Sequence, residues 1–112
     1  MKSEAAIKAL AALSQETRLG IFRALVRAHD PEPGSGGLPA GAIAEALSVS
    51  PTTLSFHLKE LANAGLVRSR REGRSIVYRA DLETMRALTG FLLEDCCQGA
   101  CGTMSAAAAC SA

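Results

Sequence analysis

The run from Ser50 to Gly65 constrains this chain more than any other stretch. Ser at an N-cap followed by Pro at the first helical position is a strong helix start. The hydroxyl takes up an orphan backbone N–H, and Pro has none to lose. Leu54, Leu58 and Leu61 then recur at helical spacing, and Gly65 supplies a residue that tolerates the backbone turn ending a helix. The pattern predicts a helix from Pro51 to about Ala64. A shorter amphipathic helix precedes it, with Pro39 in its first turn, Ile43, Ala44 and Leu47 on its apolar side, and an end near Ser48. Two short helices joined through the turn Leu47 to Ser50 make a helix-turn-helix.

The flanking sequence fills in a mainly α domain with a small β-hairpin. Ala6, Ile7, Leu10 and Leu13 are spaced for a first helix. Ser14 is expected to cap a second, central one bearing Leu19, Ile21, Phe22, Leu25 and Val26 and fading near Ala28. HDPEPGSGG, from His29 to Gly37, predicts an irregular surface loop. Leu66–Arg71 and Ser75–Arg79 read as strands around a Glu72-Gly73 turn, giving a winged helix-turn-helix. Asp81 is placed to cap a last helix carrying Leu82, Met85, Leu88, Phe91 and Leu92. Residues 1–95 form one expected DNA-binding and dimerisation domain, and 96–112 a cysteine-containing tail. Aromatic residues are 4% of the chain and Trp is absent, so the core must come from Leu, Ile, Val and Ala. Such a core is small in 112 residues, and a subunit interface would add buried area.

The net charge of +1 conceals a local excess. Residues 50–80 hold six basic side chains (Lys59, Arg68, Arg70, Arg71, Arg74, Arg79) against Glu60 and Glu72. A basic segment on a mildly acidic body points to a polyanion. With the Leu stripe inward, Thr52, Thr53, Phe56 and Lys59 face outward on the 51–64 helix, and Ser55 and His57 lie on its flanks. Short hydroxyls and an exposed aromatic suit a helix entering a major groove, where a thymine methyl could meet Phe56. Arg68, Arg70, Arg71 and Arg74 are expected near the hairpin tip, where four guanidinium groups call for an anion such as the phosphate backbone. These ten residues are the candidate DNA contacts.

The segments LSQETRLGIFRAL and ALSVSPTTLSFHLKELANAGLVRSRREGRSIVYRA, within about residues 8–95, resemble the ArsR/SmtB family of metal-responsive winged-helix repressors. The resemblance implies a homodimer paired through the first and last helices, binding to an inverted-repeat double-stranded operator, and release by an inducer. Leu82, Met85, Leu88 and Phe91 would then need burial in the dimer, with Gly90 allowing close helix approach.

All four Cys fall at 96, 97, 101 and 110. Dispersed disulfides would mark an oxidising compartment, whereas clustered thiols point to chemistry. GLPAGAIAEALSVS, before the reading helix, has no Cys, and the last helix has no His, so two inducer sites used in the family are lacking. Cys96, Cys97 and Cys101 remain, soft ligands suited to a thiophilic ion such as As(III), with Sb(III) also fitting. Their convergence would require the last helix to end between them, as Gly99 and Gly102 permit. The resemblance adds that some family members sense arsenite through a C-terminal Cys pair and a nearby third Cys. A thiol-redox repressor and a metal carrier without a DNA role stay open beside this reading. No organic cofactor is expected. The lack of a Cys-x-x-Cys, a catalytic His partner or a substrate-pocket motif argues against an enzyme. No apolar run approaches bilayer length and no signal-peptide core opens the chain, which predicts a cytoplasmic protein without membrane contact.

Overall fold

The computed structural model describes residues 1–32 and 34–94. Within them, five helices and three short strands follow in the order α1 (Ser3–Leu13), α2 (Glu16–Arg27), β1 (Leu38–Pro39), α3 (Ala40–Leu47), α4 (Pro51–Asn63), β2 (Val67–Glu72), β3 (Ser75–Ala80) and α5 (Leu82–Leu92). The strands form one antiparallel sheet in the order β1-β3-β2. Ile21, Leu25, Ile43, Leu54, Leu61 and Leu66 are its largest fully buried side chains, drawn from α2, α3, α4 and the entry to β2. The aliphatic core expected from composition is therefore present, with Phe22 its one buried Phe among the described residues.

Local chemistry moves several boundaries. Ser14 closes α1 instead of opening α2, donating its hydroxyl to Ala11 O at 2.7 Å. Gln15 caps α2, its side chain accepting the Arg18 N–H at 2.9 Å. Pro39 is extended, with φ −70° and ψ 155°, and stands just outside α3 as its N-cap. The hairpin pairs Glu72 with Ser75, so its turn is Gly73-Arg74 and not Glu72-Gly73. Gly73 sits at φ +60°, which the first residue of a tight II′ turn requires and which glycine adopts without strain. Leu19 and Val26 are on the outside of α2, uncovered by α1, α3 or α4.

The segment after α2 is irregular, yet it is tied down. Ser35 donates to Asp30 Oδ2 at 3.0 Å, and Gly37 N–H bonds to Ala28 O at 3.0 Å. Gly37 has φ +88°, and a Cβ there would lie 2.5 Å from Tyr78 O, so the close approach that lets Leu38-Pro39 join β3 needs glycine.

α1 reverses the usual arrangement. Ala6, Ala9 and Ala12 face the core, while Ile7 is 67% and Leu10 44% exposed. On α5, Leu88 is buried within its own subunit, and Leu82, Met85 and Phe91 pack half-buried on the same core. These four were expected to await a partner; the large apolar side chains still exposed at that end of the described residues are Leu92 and Leu93. α5 ends at Leu92, ahead of Cys96 in the chain. Cys96, Cys97, Cys101 and Cys110 lie outside the described residues.

Asp81 opens α5 and joins it to the hairpin. Its carboxylate accepts the Thr84 N–H at 3.1 Å and the Arg68 Nε–H at 2.8 Å. Burial pushes the Asp81 pKa up, but the Arg68 and Thr84 hydrogen bonds outweigh it and hold the pKa below the usual carboxylate range. A depressed folded pKa stabilises the protein above the unfolded value of about 3.9, and that contribution is lost as pH falls through the folded value. Asp81→Ala should therefore cost about 1–2 kcal/mol near neutral pH. In urea titrations the gap between variant and wild type should begin to narrow below about pH 4 and close as pH falls through the folded value; a gap unchanged at the acid end would discount the ion pair.

Candidate nucleic-acid interface

The α3-turn-α4 unit is built by its caps. Ser48 adopts φ +53°, turning the chain sharply after α3. Ser50 Oγ then accepts the Thr53 N–H at 3.3 Å and donates to Thr53 Oγ1 at 2.9 Å, with Pro51 inside the first turn. At the far end Gly65, at φ +78°, lets Leu66 N–H return to Leu61 O at 3.0 Å. Leu54, Leu58 and Leu61 are buried, which fixes the rotation of α4.

Thr52, Thr53, Ser55, Phe56, Lys59 and Asn63 are consequently exposed. Phe56 stands 55% open, with part of its ring facing the Arg18 guanidinium 5.7 Å from the ring centroid. His57 departs from expectation. It is 8% exposed and turned toward α2, where its Nδ1 accepts the Arg18 Nε–H at 3.1 Å. It is an internal support and not a surface base reader. The reason is tertiary: one flank of α4 packs on α2, which periodicity along α4 alone does not reveal.

The four hairpin arginines also separate. Arg68 lies at the root, opposite Arg79 and far from the turn, and is paired with Asp81. Arg70 is half-buried; it pairs with Glu72 at 3.1 Å and donates from Nη2 to Gly36 O at 2.8 Å, pinning the loop before β1. Arg71 and Arg74 remain at the tip, exposed, and among the described residues neither forms an ion pair. The crowding of four charges thus reduces to two uncompensated ones, and Lys59 supplies a third on α4. A groove of about 380 Å³ separates this tip from the helices, its lining including Pro39, Ala40, Ser55, Arg74, Ile76 and Tyr78. Ser55, Ser75, Tyr78 and Arg74 bring side chains that can donate to anionic oxygens, beside the apolar Pro39, Ala40 and Ile76.

Arg18 was not among the residues singled out from sequence. Its spacing from Ile21 and Phe22 puts it at the edge of the buried stripe of α2, but only packing shows that this edge meets α4. Among the described residues, no three His, Cys, Asp or Glu side chains gather as a metal-binding group. None of the described helices is long and apolar enough to cross a membrane.

Comparison with known proteins agrees with this geometry. Residues 13–70 match the family described as a helix-turn-helix domain. The HTH-type transcriptional regulator YceK of Bacillus subtilis (strain 168) is 34% identical over 82 residues, 72% of this chain and 76% of that protein. An ArsR-like transcriptional regulator from Rhodococcus sp. RHA1 superposes with a TM-score of 0.68 at 34% identity, over 81% of this chain and 77% of that one. The homodimeric winged helix-turn-helix DNA-binding domain Mb0332 from Mycobacterium bovis gives a TM-score of 0.64 at 29% identity, covering 82% and 81%. Sequence kinship over most of the chain, an exposed α4 and a cationic hairpin tip lead to one assignment: this chain belongs to the ArsR family of winged helix-turn-helix transcriptional regulators.

Proposed function

We propose that the chain is a homodimeric repressor that places α4 in the major groove of an operator and its hairpin tip on the phosphate backbone, and that trivalent arsenic or antimony releases it. The exposed face of α4 beside Arg71 and Arg74 is the observation that carries the DNA half. Thr52, Ser55, Phe56 and Lys59 face base edges and sugar-phosphate, and Arg71 and Arg74 meet the backbone. Pairing is supported by the outward Ile7 and Leu10 and the exposed Leu92 and Leu93. A Cβ at Gly90 would meet nothing within 4 Å among the described residues, so none of them calls for glycine there. Two-fold symmetry would set the two α4 helices about 34 Å apart, one turn of DNA.

The sensing half rests on sequence: Cys96, Cys97 and Cys101 follow the last helix and offer three soft donors to one thiophilic ion. An inducer shifts the balance only if it binds the DNA-free form more tightly. A coupling of about 3 kcal/mol would weaken operator binding roughly 150-fold. Mobility shifts with arsenite on wild type and single Cys→Ser variants test this. Loss of release in C96S, C97S and C101S, with release kept in C110S, is expected. Equal operator affinity with and without arsenite would overturn the metalloid reading, and release by diamide alone would replace it with a thiol-redox switch.

A further inference from the structure

The cations around α4 are arranged on two sides. With Leu54, Leu58 and Leu61 inward, a 100° step per residue points Thr52, Phe56, Lys59 and Asn63 outward, and sends Ser55 and His57 to opposite flanks. Ser55 borders the groove shared with Arg74, so the wing occupies that flank. His57 meets Arg18 of α2, so Arg18 occupies the other. A helix seated in a major groove about 12 Å wide has a phosphate row on each side. The wing reaches one row, and the remaining one faces Arg18.

The contacts of Arg18 suit that duty. His57 engages only its Nε–H, so the guanidinium is held by one edge. Among the described residues no carboxylate pairs with Arg18, and neither Nη group donates a hydrogen bond. The planar group lies 5.7 Å from the Phe56 ring centroid, beside the most exposed aromatic of the reading face. A guanidinium held through Nε beside a ring keeps a pair of N–H donors in fork geometry, the arrangement that grips phosphate oxygens.

We infer that Arg18, oriented by His57, is a phosphate-contacting residue on the flank of α4 opposite the wing, so that the reading helix is bracketed by cations. This rests on the operator-binding reading above. His57 is then a positioning residue, and Phe56 is part of the seat for Arg18 as well as a base contact.

The test is anisotropy with the 112-residue chain and a labelled duplex enriched from a random pool by the wild type, across a KCl series. Each phosphate contact contributes about 0.9 to the slope of log K against log salt, so Arg18→Gln should flatten the slope by about 1.8 per dimer. That corresponds to about 60-fold weaker binding at 0.1 M salt, with the gap closing at high salt. His57→Phe, which has no acceptor, should flatten the slope in the same sense, and His57→Asn, which keeps an acceptor oxygen, should restore it. The Arg18→Gln/His57→Phe double variant should be no flatter than Arg18→Gln. A purely structural role would lower the melting temperature and leave the slope alone. An unchanged slope in Arg18→Gln, with Arg74→Gln flattened, would overturn the bracket while leaving operator binding intact. Absence of salt-dependent binding by the wild type would overturn both.

Discussion

Leu61→Ala is expected to cost about 2–5 kcal/mol of folding free energy, the range for emptying a sealed leucine site. Leu61 is 0% exposed and belongs to the cluster that joins α1, α2, α4 and the hairpin root, so no single neighbour can relax into the space. Domains of this size hold about 5–15 kcal/mol in total. The melting temperature should therefore drop by roughly 8–40 °C, at about 4–8 °C per kcal/mol. Phe56→Ala is the informative contrast. More than half exposed, Phe56 gives up little beyond its Arg18 contact, about 0.5–1 kcal/mol. Its loss should appear in operator affinity instead. Calorimetry on the two variants checks the division: a larger drop for Phe56→Ala than for Leu61→Ala would mean that the burial assigned to α4 is wrong.

If the proposed dimer pairs through α1, the double variant Ile7→Glu/Leu10→Glu should turn it into a monomer in sedimentation experiments. Neither side chain belongs to the core, and α1 holds to its subunit through Ala6, Ala9 and Ala12, so the fold should survive the two charges. Four added carboxylates across a two-fold axis would repel one another and remain wet. A monomer reads one half-site, and losing the second engagement forfeits an avidity of about 100- to 10,000-fold. Circular dichroism at the same protein concentration separates this from unfolding. A variant that stays dimeric would place the subunit contact elsewhere.

The helix-turn-helix was legible in sequence because its signals are local. Ser50, Pro51 and Gly65 act within a turn of where they sit, and a leucine every three or four residues states which side is inward. Asp81 as the cap of α5 is the same kind of signal. What escaped depends on neighbours distant in the chain. Leu38-Pro39 is too short to show a strand period and becomes one only because β3 lies alongside. His57 looked like a flank residue until α2 covered that flank. Arg68 looked like one of a repelling set until Asp81, thirteen residues later, proved to be its partner. Arg70 likewise answers to Gly36, whose carbonyl no sequence pattern announces. The hairpin turn shifted by one residue because only Gly73 can take its first position without strain.

The bond from Gly37 N–H to Ala28 O brings the two stems of the interhelical segment into contact. A loop whose ends already touch can take in extra peptide at little entropic expense, about 0.6 kcal/mol for each doubling of its length. Additions near Glu32 would bulge outward without altering the spacing between α2 and the sheet, whereas additions at Gly36 or Gly37 would tear the stitch made by Arg70. In this scaffold that apex is the natural place to graft a tag or a reporter peptide, on a site separate from the exposed face of α4.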